Sequence, residues 1–359
     1  MKRLILTALA VVAIALQAAA AKIDSLEFRS ARDFRIVGKG FTDTESFYDR
    51  LPASVKEGCR EELWTLSTNS AGIAIRFRTN STTIGVKWTV RQQMNMGHMT
   101  TVGIRGVDLY RLTDDGWRHV NSGRPSTKSK ENSGVLISNM ASEYAEYMLY
   151  LPLYDGVSDV QIGVDRGAVI EQPAVATPRA DRSVVFYGTS ITQGGCANRA
   201  GMCYSSILSR DMDFEAINLG FSGNARCDLY IAEAMARLNP TVYFLDFVPN
   251  CTAKMIEERA IEFIEVIRKA HPTTPIIMID SYKFPPSQFN LEQRSQLEAK
   301  TVEMRKVAEH FKRDKNFYFY EGASYNDDEC SVDGAHLTDL GFKAMADHYK
   351  KLLKKHIRK

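Results

Sequence analysis

The segment Gly188-Thr-Ser-Ile-Thr-Gln-Gly194 sets one hydroxyl, Ser190, in a glycine-bounded stretch. Far along the chain, Asp333-Gly-Ala-His336 puts a carboxylate three residues ahead of an imidazole. Between them lie Asn218-Leu-Gly-Phe-Ser-Gly-Asn224 and the pair Pro249-Asn250, which supply glycine turns and an amide. A serine hydroxyl is a weak nucleophile until an adjacent base takes its proton, and an imidazole oriented by a carboxylate is such a base. Backbone N–H groups and a side-chain amide can hold the negative charge that develops on a carbonyl oxygen. Acyl transfer needs these parts together: nucleophile, base, orienting acid and oxyanion donors. Each residue also has a plainer use, with Ser190 or Asp333 as a helix cap, Gly223 as a turn glycine and Asn250 as the close of a turn.

Such a set works only if distant segments are brought to one place. From residue 183 onward, apolar runs alternate with longer amphipathic ones. Strands are expected at Ser183–Tyr187, Ala216–Leu219, Thr241–Phe247, Pro275–Asp280 and Phe317–Tyr320. Helices are expected at 203–211, Asp228–Leu238, Thr252–Ala270, Asn290–Arg313 and Asp339–Ile357. Continuous apolar strands between helices imply a parallel sheet covered on both faces, an α/β domain. In an open sheet of this kind ligands bind beyond the carboxyl ends of the strands. All four segments follow strand ends, so the pattern places them along one edge.

The first half obeys another period. Residues 22–165 hold short alternating runs such as Gly72–Arg78, Thr83–Val90, Met99–Ile104 and Val160–Val164, separated by turns at Asn80-Ser81, Asp114-Asp115-Gly116 and Asp155-Gly156. Alternation rich in β-branched and aromatic residues reads as half-buried strands, and the expectation is a β-sandwich, jelly-roll-like. Residues 166–182, with Pro173 and Pro178, read as a linker, and each half is expected to bury its own core. Trp64, Trp88 and Trp117 all fall in the first half, where core packing is the expectation over sugar stacking. His98 stands apart, in Arg91-Gln-Gln-Met-Asn-Met-Gly-His-Met99. A loop of methionines and amides can cover a cleft from the neighbouring domain and touch substrate, or it can be a buried hairpin.

The four segments resemble the sequence blocks of the SGNH (GDSL-like) hydrolases, which carry Ser, Gly, Asn and His in this order. The resemblance spans residues 183–359 and implies a flavodoxin-like α/β/α fold. It implies Ser190 as nucleophile, Asp333 and His336 as acid and base, and an oxyanion hole from the Ser190 and Gly223 N–H groups with the Asn250 amide. No metal or organic cofactor is implied. Two blocks depart from the pattern: Thr189 stands where the family often has Asp, and Val248-Pro-Asn250-Cys251 replaces Gly-x-Asn-Asp. In the first half, Gly106-Val-Asp-Leu-Tyr110 resembles the GxDLY segment of a β-rich module ahead of exported SGNH esterases. Together these imply a serine esterase removing short acyl groups, most often O-acetyl, from carbohydrate. A lipase or lysophospholipase, or a glycan-binding surface protein without catalysis, are the alternatives.

Composition agrees with a soluble, exported protein. The chain has 359 residues, 44% hydrophobic and 25% charged, with a formal charge of +3, so nothing in its balance points to nucleic acid. Lys2 and Arg3 precede an apolar run, Leu4–Leu16, and then small residues to Ala21. That is the pattern of a signal peptide over residues 1–21, too short for a membrane span, and it implies a bacterial periplasmic or secreted protein. No later run is long and apolar enough to span a bilayer. Six cysteines permit disulfides in such a compartment, with pairing unspecified, and their spacing contains no CxxC pair or Cys/His cluster.

Overall fold

A computed structural model describes residues 23–322 and 328–357; the expected signal peptide, residues 1–21, lies outside them. The first half folds as two antiparallel sheets. Its strands are β1 (Glu27–Ser30), β2 (Arg35–Val37), β3 (Ala74–Thr79), β4 (Ile84–Val90), β5 (Val107–Thr113), β6 (Gly116–Gly123), β7 (Glu131–Ile137), β8 (Ala145–Tyr150), β9 (Val157–Val164) and β10 (Ile170–Glu171). One sheet runs β1-β9-β4-β7, the other β10-β3-β8-β5-β6 with β2 also on β3. Alternation sends Ile75, Phe77, Val86, Trp88, Leu109, Leu149 and Ile162 into a common interior. Trp88 is core, its indole N–H donating to the Arg105 carbonyl at 2.9 Å.

Short helices interrupt this half at α1 (Glu61–Ser67) and α2 (Thr101–Arg105). The second corrects the expected strand at Met99–Ile104. The Thr100 hydroxyl accepts the Gly103 N–H at 3.0 Å, and this cap outweighs the alternation of only six residues. The segment expected as a linker is pinned to the sandwich. Strand β10 pairs with β3, and the buried Arg76 donates to the carbonyls of Thr177 (2.7 Å) and Val175 (3.2 Å) while pairing with Glu146 at 3.0 Å.

The second half contains β11 (Val184–Gly188), α3 (Ser190–Gln193), α4 (Tyr204–Met212), β12 (Ala216–Gly220), α5 (Leu229–Ala236), β13 (Val242–Asp246), α6 (Ala253–Ala270), β14 (Ile276–Ile279), α7 (Leu291–His310), β15 (Phe317–Tyr320) and α8 (Asp339–Leu353). The sheet is wholly parallel, in the order β12-β11-β13-β14-β15. Phe186, Phe244 and Ile277 face one side with α4 and α8, against Tyr204, Leu208, Phe342 and Tyr349. Their neighbours Val185, Tyr187, Leu245 and Met278 face the other side with α5, α6 and α7. Covering both faces is what lets these strands be largely apolar.

The sandwich keeps an interior of its own, but part of it also joins the cores of the second half. Met148, Tyr150, Leu153 and Tyr154 of the sandwich join the cluster around Phe186, and Phe41, Leu51 and Leu63 join the one around Tyr187. Trp64 packs half-buried at the edge of that second cluster. Arg50, fully buried, donates to the carbonyls of Gly220 (2.7 Å) and Asn218 (3.1 Å) at the end of β12, and to those of Asn69 and Leu66 in its own half. One guanidinium thus ties the sandwich loops to the strand that leads into Gly223.

Candidate active site

The strands β12, β11 and β13 are neighbours, with Gly188 in register with Gly220 on one side and Asp246 on the other. Their exit loops therefore begin at one level of the sheet. Ser190 opens helix α3 directly after β11. Gly188 must be glycine there, because a Cβ would sit 2.1 Å from the Thr192 hydroxyl and 2.7 Å from the Asp246 carbonyl. Thr189 caps the turn, its hydroxyl accepting the Ile191 N–H at 3.2 Å.

The loop before α8 delivers the other two groups. It is folded on itself by Val332 N–H to the His336 carbonyl (2.9 Å), Gly334 N–H to the Ser331 hydroxyl (2.9 Å), and the buried anchor Leu337. His336 Nε2 lies 2.9 Å from Ser190 Oγ, and Nδ1 lies 2.8 Å from Asp333 Oδ2. The other carboxylate oxygen accepts the backbone N–H groups of His336 (2.8 Å) and Ala335 (3.0 Å). Partial burial pushes the Asp333 carboxyl up, but these N–H groups and the imidazole outweigh it and hold it down at about 2. An ionised carboxylate only accepts, so the neutral ring carries its proton on Nδ1 and offers the Nε2 lone pair to the serine hydroxyl. Such a relay can take the proton of Ser190 as it attacks a carbonyl carbon.

Gly223 sits on the exit loop of β12 with φ +67°, exposed and with open space around it. Asn250 ends a single 3-10 turn after β13, Val248–Asn250. Its side-chain oxygen Oδ1 accepts the Ala225 N–H at 3.3 Å, so the side-chain NH₂ is not used in this contact. His98 comes from the sandwich half to within 5.3 Å of the His336 ring, centroid to centroid.

Several further residues support the site, and the sequence reading assigned none of them a role. Gln193, buried, spans two loops by accepting the Ser222 N–H (3.0 Å) and donating to the Leu153 carbonyl (3.0 Å). The Tyr154 hydroxyl donates to the Ser190 carbonyl at 3.2 Å. Asp108 and Tyr110 of the GxDLY segment grip the loop that follows α3. Buried Asp108 accepts from Arg199 (2.6 Å) and from the Gly201 N–H (2.9 Å), and its other oxygen meets His119 (2.9 Å) and the Ser122 hydroxyl (3.0 Å). Tyr110 also bonds Arg199. A cleft of about 280 Å³ borders Asp333, lined by Phe284, Pro286, Leu297, Lys300 and Gly334. A larger cavity of about 760 Å³, between the end of β14 and α7, contains none of the triad.

The profile of the GDSL-like lipase/acylhydrolase family matches residues 181–354, and that of the GxDLY module, the N-terminus of SGNH-hydrolase-type esterases, matches residues 26–170. No curated protein matches the sequence. Among solved structures, a protein assigned to the GDSL-like lipases from Bacteroides ovatus is 34% identical, with a TM-score of 0.87 over 92% of this chain and 97% of its own. A salicylyl-acyltransferase from a tetracycline biosynthetic pathway is 14% identical, with a TM-score of 0.74 over 93% and 99%. An acetyl xylan esterase from the rumen bacterium Butyrivibrio proteoclasticus is 12% identical, with a TM-score of 0.58 over 92% and 98%. Both halves are thus accounted for by one architecture, and the chain belongs to the GDSL-like (SGNH) lipase/acylhydrolase family of esterases.

Proposed function

We propose that this chain is an exported serine esterase that removes short acyl groups, acetyl foremost, from a carbohydrate. The observation that carries the reading is the unbroken line of hydrogen bonds from Asp333 through His336 to Ser190, at 2.8 and 2.9 Å. In the proposed mechanism His336 takes the proton of Ser190 as the oxygen attacks the ester carbonyl. Asp333 fixes the ring tautomer and stabilises the imidazolium. The Ser190 and Gly223 N–H groups and the Asn250 amide hold the oxyanion, and His336 then protonates the sugar oxygen as it leaves, releasing the alcohol. Water, activated by the same imidazole, hydrolyses the acyl-enzyme.

Carbohydrate as the acyl carrier is supported by the likeness in fold to the acetyl xylan esterase. Export is supported by the basic and apolar pattern of residues 1–21. Among the described residues no helix is long and apolar enough to cross a membrane. A lipase-type acyl hydrolase has one observation in its favour: Phe289 and Leu291 are 84% and 74% exposed, and Phe289 lies beside Pro286 at the rim of the cleft. The experiment that decides is a p-nitrophenyl ester series, acetate to laurate, on the native protein and S190A. Turnover concentrated on acetate and lost in S190A is the expected result. A preference for laurate selects the lipase reading, and full turnover by S190A removes the mechanism.

A further inference from the structure

Four side chains that can ligate a metal meet at the mouth of the site. They are His98 from the sandwich half, Cys196 from the turn after α3, and Asp333 and His336 from the loop before α8. One ligand atom of each lies within 4.8 Å of every other. No pair among the three segments is close in sequence, so the convergence was invisible in the cysteine and histidine spacing. The relay uses only Asp333 and His336; the Cys196 thiol has no part in it. That thiol is buried and donates to the His98 backbone carbonyl at 3.3 Å, which holds residues 98 and 196 side by side. Two imidazoles, a thiol and a carboxylate are a donor set that suits zinc, a borderline-soft ion bound by nitrogen, sulfur and oxygen alike. Four ligands at about 2.0–2.3 Å in a tetrahedron stand roughly 3.3–3.8 Å apart, so closure asks the widest pair to approach by about 1 Å.

We propose that His98, Cys196, Asp333 and His336 form a zinc-binding site that, when filled, switches the hydrolase off. Binding displaces the thiol proton to water, since sulfur ligates as thiolate. A metal bond to the imidazole occupies a ring nitrogen that the relay needs, so Ser190 loses its base. Metal and acyl transfer are therefore mutually exclusive at this site. The binding stands on the four side chains alone; the inhibition also rests on the proposed role of His336.

The test uses the purified full chain with Zn²⁺, and with Co²⁺ as the spectroscopic probe. Expected are a thiolate-to-cobalt charge-transfer absorption that Zn²⁺ removes, and loss of p-nitrophenyl acetate turnover that EDTA restores. C196S should keep its metal-free turnover, lose the charge-transfer band and need at least about tenfold more Zn²⁺ for the same inhibition. H98Q should also weaken cobalt binding. Absence of the band in the native protein overturns the site, whether or not C196S folds. So does inhibition of C196S at native Zn²⁺ levels. A cobalt band in a protein that hydrolyses no ester leaves the site standing and removes the esterase reading; turnover without a band does the reverse.

Discussion

Replacing Asp333 by Asn tests the tautomer argument with almost no change of shape. Oδ1 accepts two backbone N–H groups, at 2.8 and 3.0 Å, and only oxygen can do so. The asparagine must therefore keep its carbonyl oxygen there and turn its NH₂ toward His336 Nδ1. An NH₂ donates, so the ring accepts at Nδ1 and carries its proton on Nε2, aimed at Ser190 Oγ 2.9 Å away. The lone pair that should receive the hydroxyl proton is gone. An inverted tautomer of this kind costs about 10⁴ in kcat, roughly 5–6 kcal/mol of transition-state stabilisation. The loop keeps both backbone hydrogen bonds, so the melting temperature should hardly move. The assay is kcat on p-nitrophenyl acetate at neutral pH beside a thermal melt. A folded D333N within tenfold of native kcat would refute the reasoning.

Further outcomes follow from the same geometry. N250A should lower kcat by about 10²–10³ with little change in KM, because its amide serves the oxyanion and not the bound ester; steady-state kinetics on the acetate ester checks this. Asp333, held at about 2 and so below its unfolded value, contributes stability that is full above that value and lost only as pH falls through about 2. It stays ionised through mild acid, so its own protonation should cost no activity until the pH falls toward about 2, and a loss of kcat/KM traced to protonation of Asp333 near pH 4 would contradict this. D108A leaves Arg199 without its carboxylate and should destabilise the fold by about 3 kcal/mol in urea unfolding, near the low end for a broken buried pair because Arg199 reaches solvent.

Much of this molecule could be read from its sequence. The largely apolar strands Val184–Gly188, Ala216–Gly220 and Val242–Asp246 announce a parallel sheet, and strand ends are where such a sheet gathers its loops. That is why the meeting of residues 190, 333 and 336 was legible although up to 146 residues separate them. What stayed hidden depends on pairs with no periodicity of their own. Arg50 reaches Gly220 across 170 positions, and Arg199 reaches Asp108 across 91. An arginine bonded to carbonyls looks, in sequence, like any exposed arginine. The packing of one half against the other was hidden for a related reason: the alternation that marks β8 gives no sign that Met148 and Tyr150 face the second domain while Tyr147 and Leu149 face the sandwich interior. The helix at Thr101–Arg105 was lost to alternation over too few residues.

The central claim is that the oxygen of Ser190 becomes bonded to the acyl group of the ester. Mass spectrometry after rapid acid quench of an acetate-ester reaction, or after a fluorophosphonate probe, reads this bond. The account predicts a single adduct in the peptide that contains Ser190, absent in S190A and strongly slowed in D333N. An active enzyme whose adduct maps to any other residue, or that forms none, would contradict it.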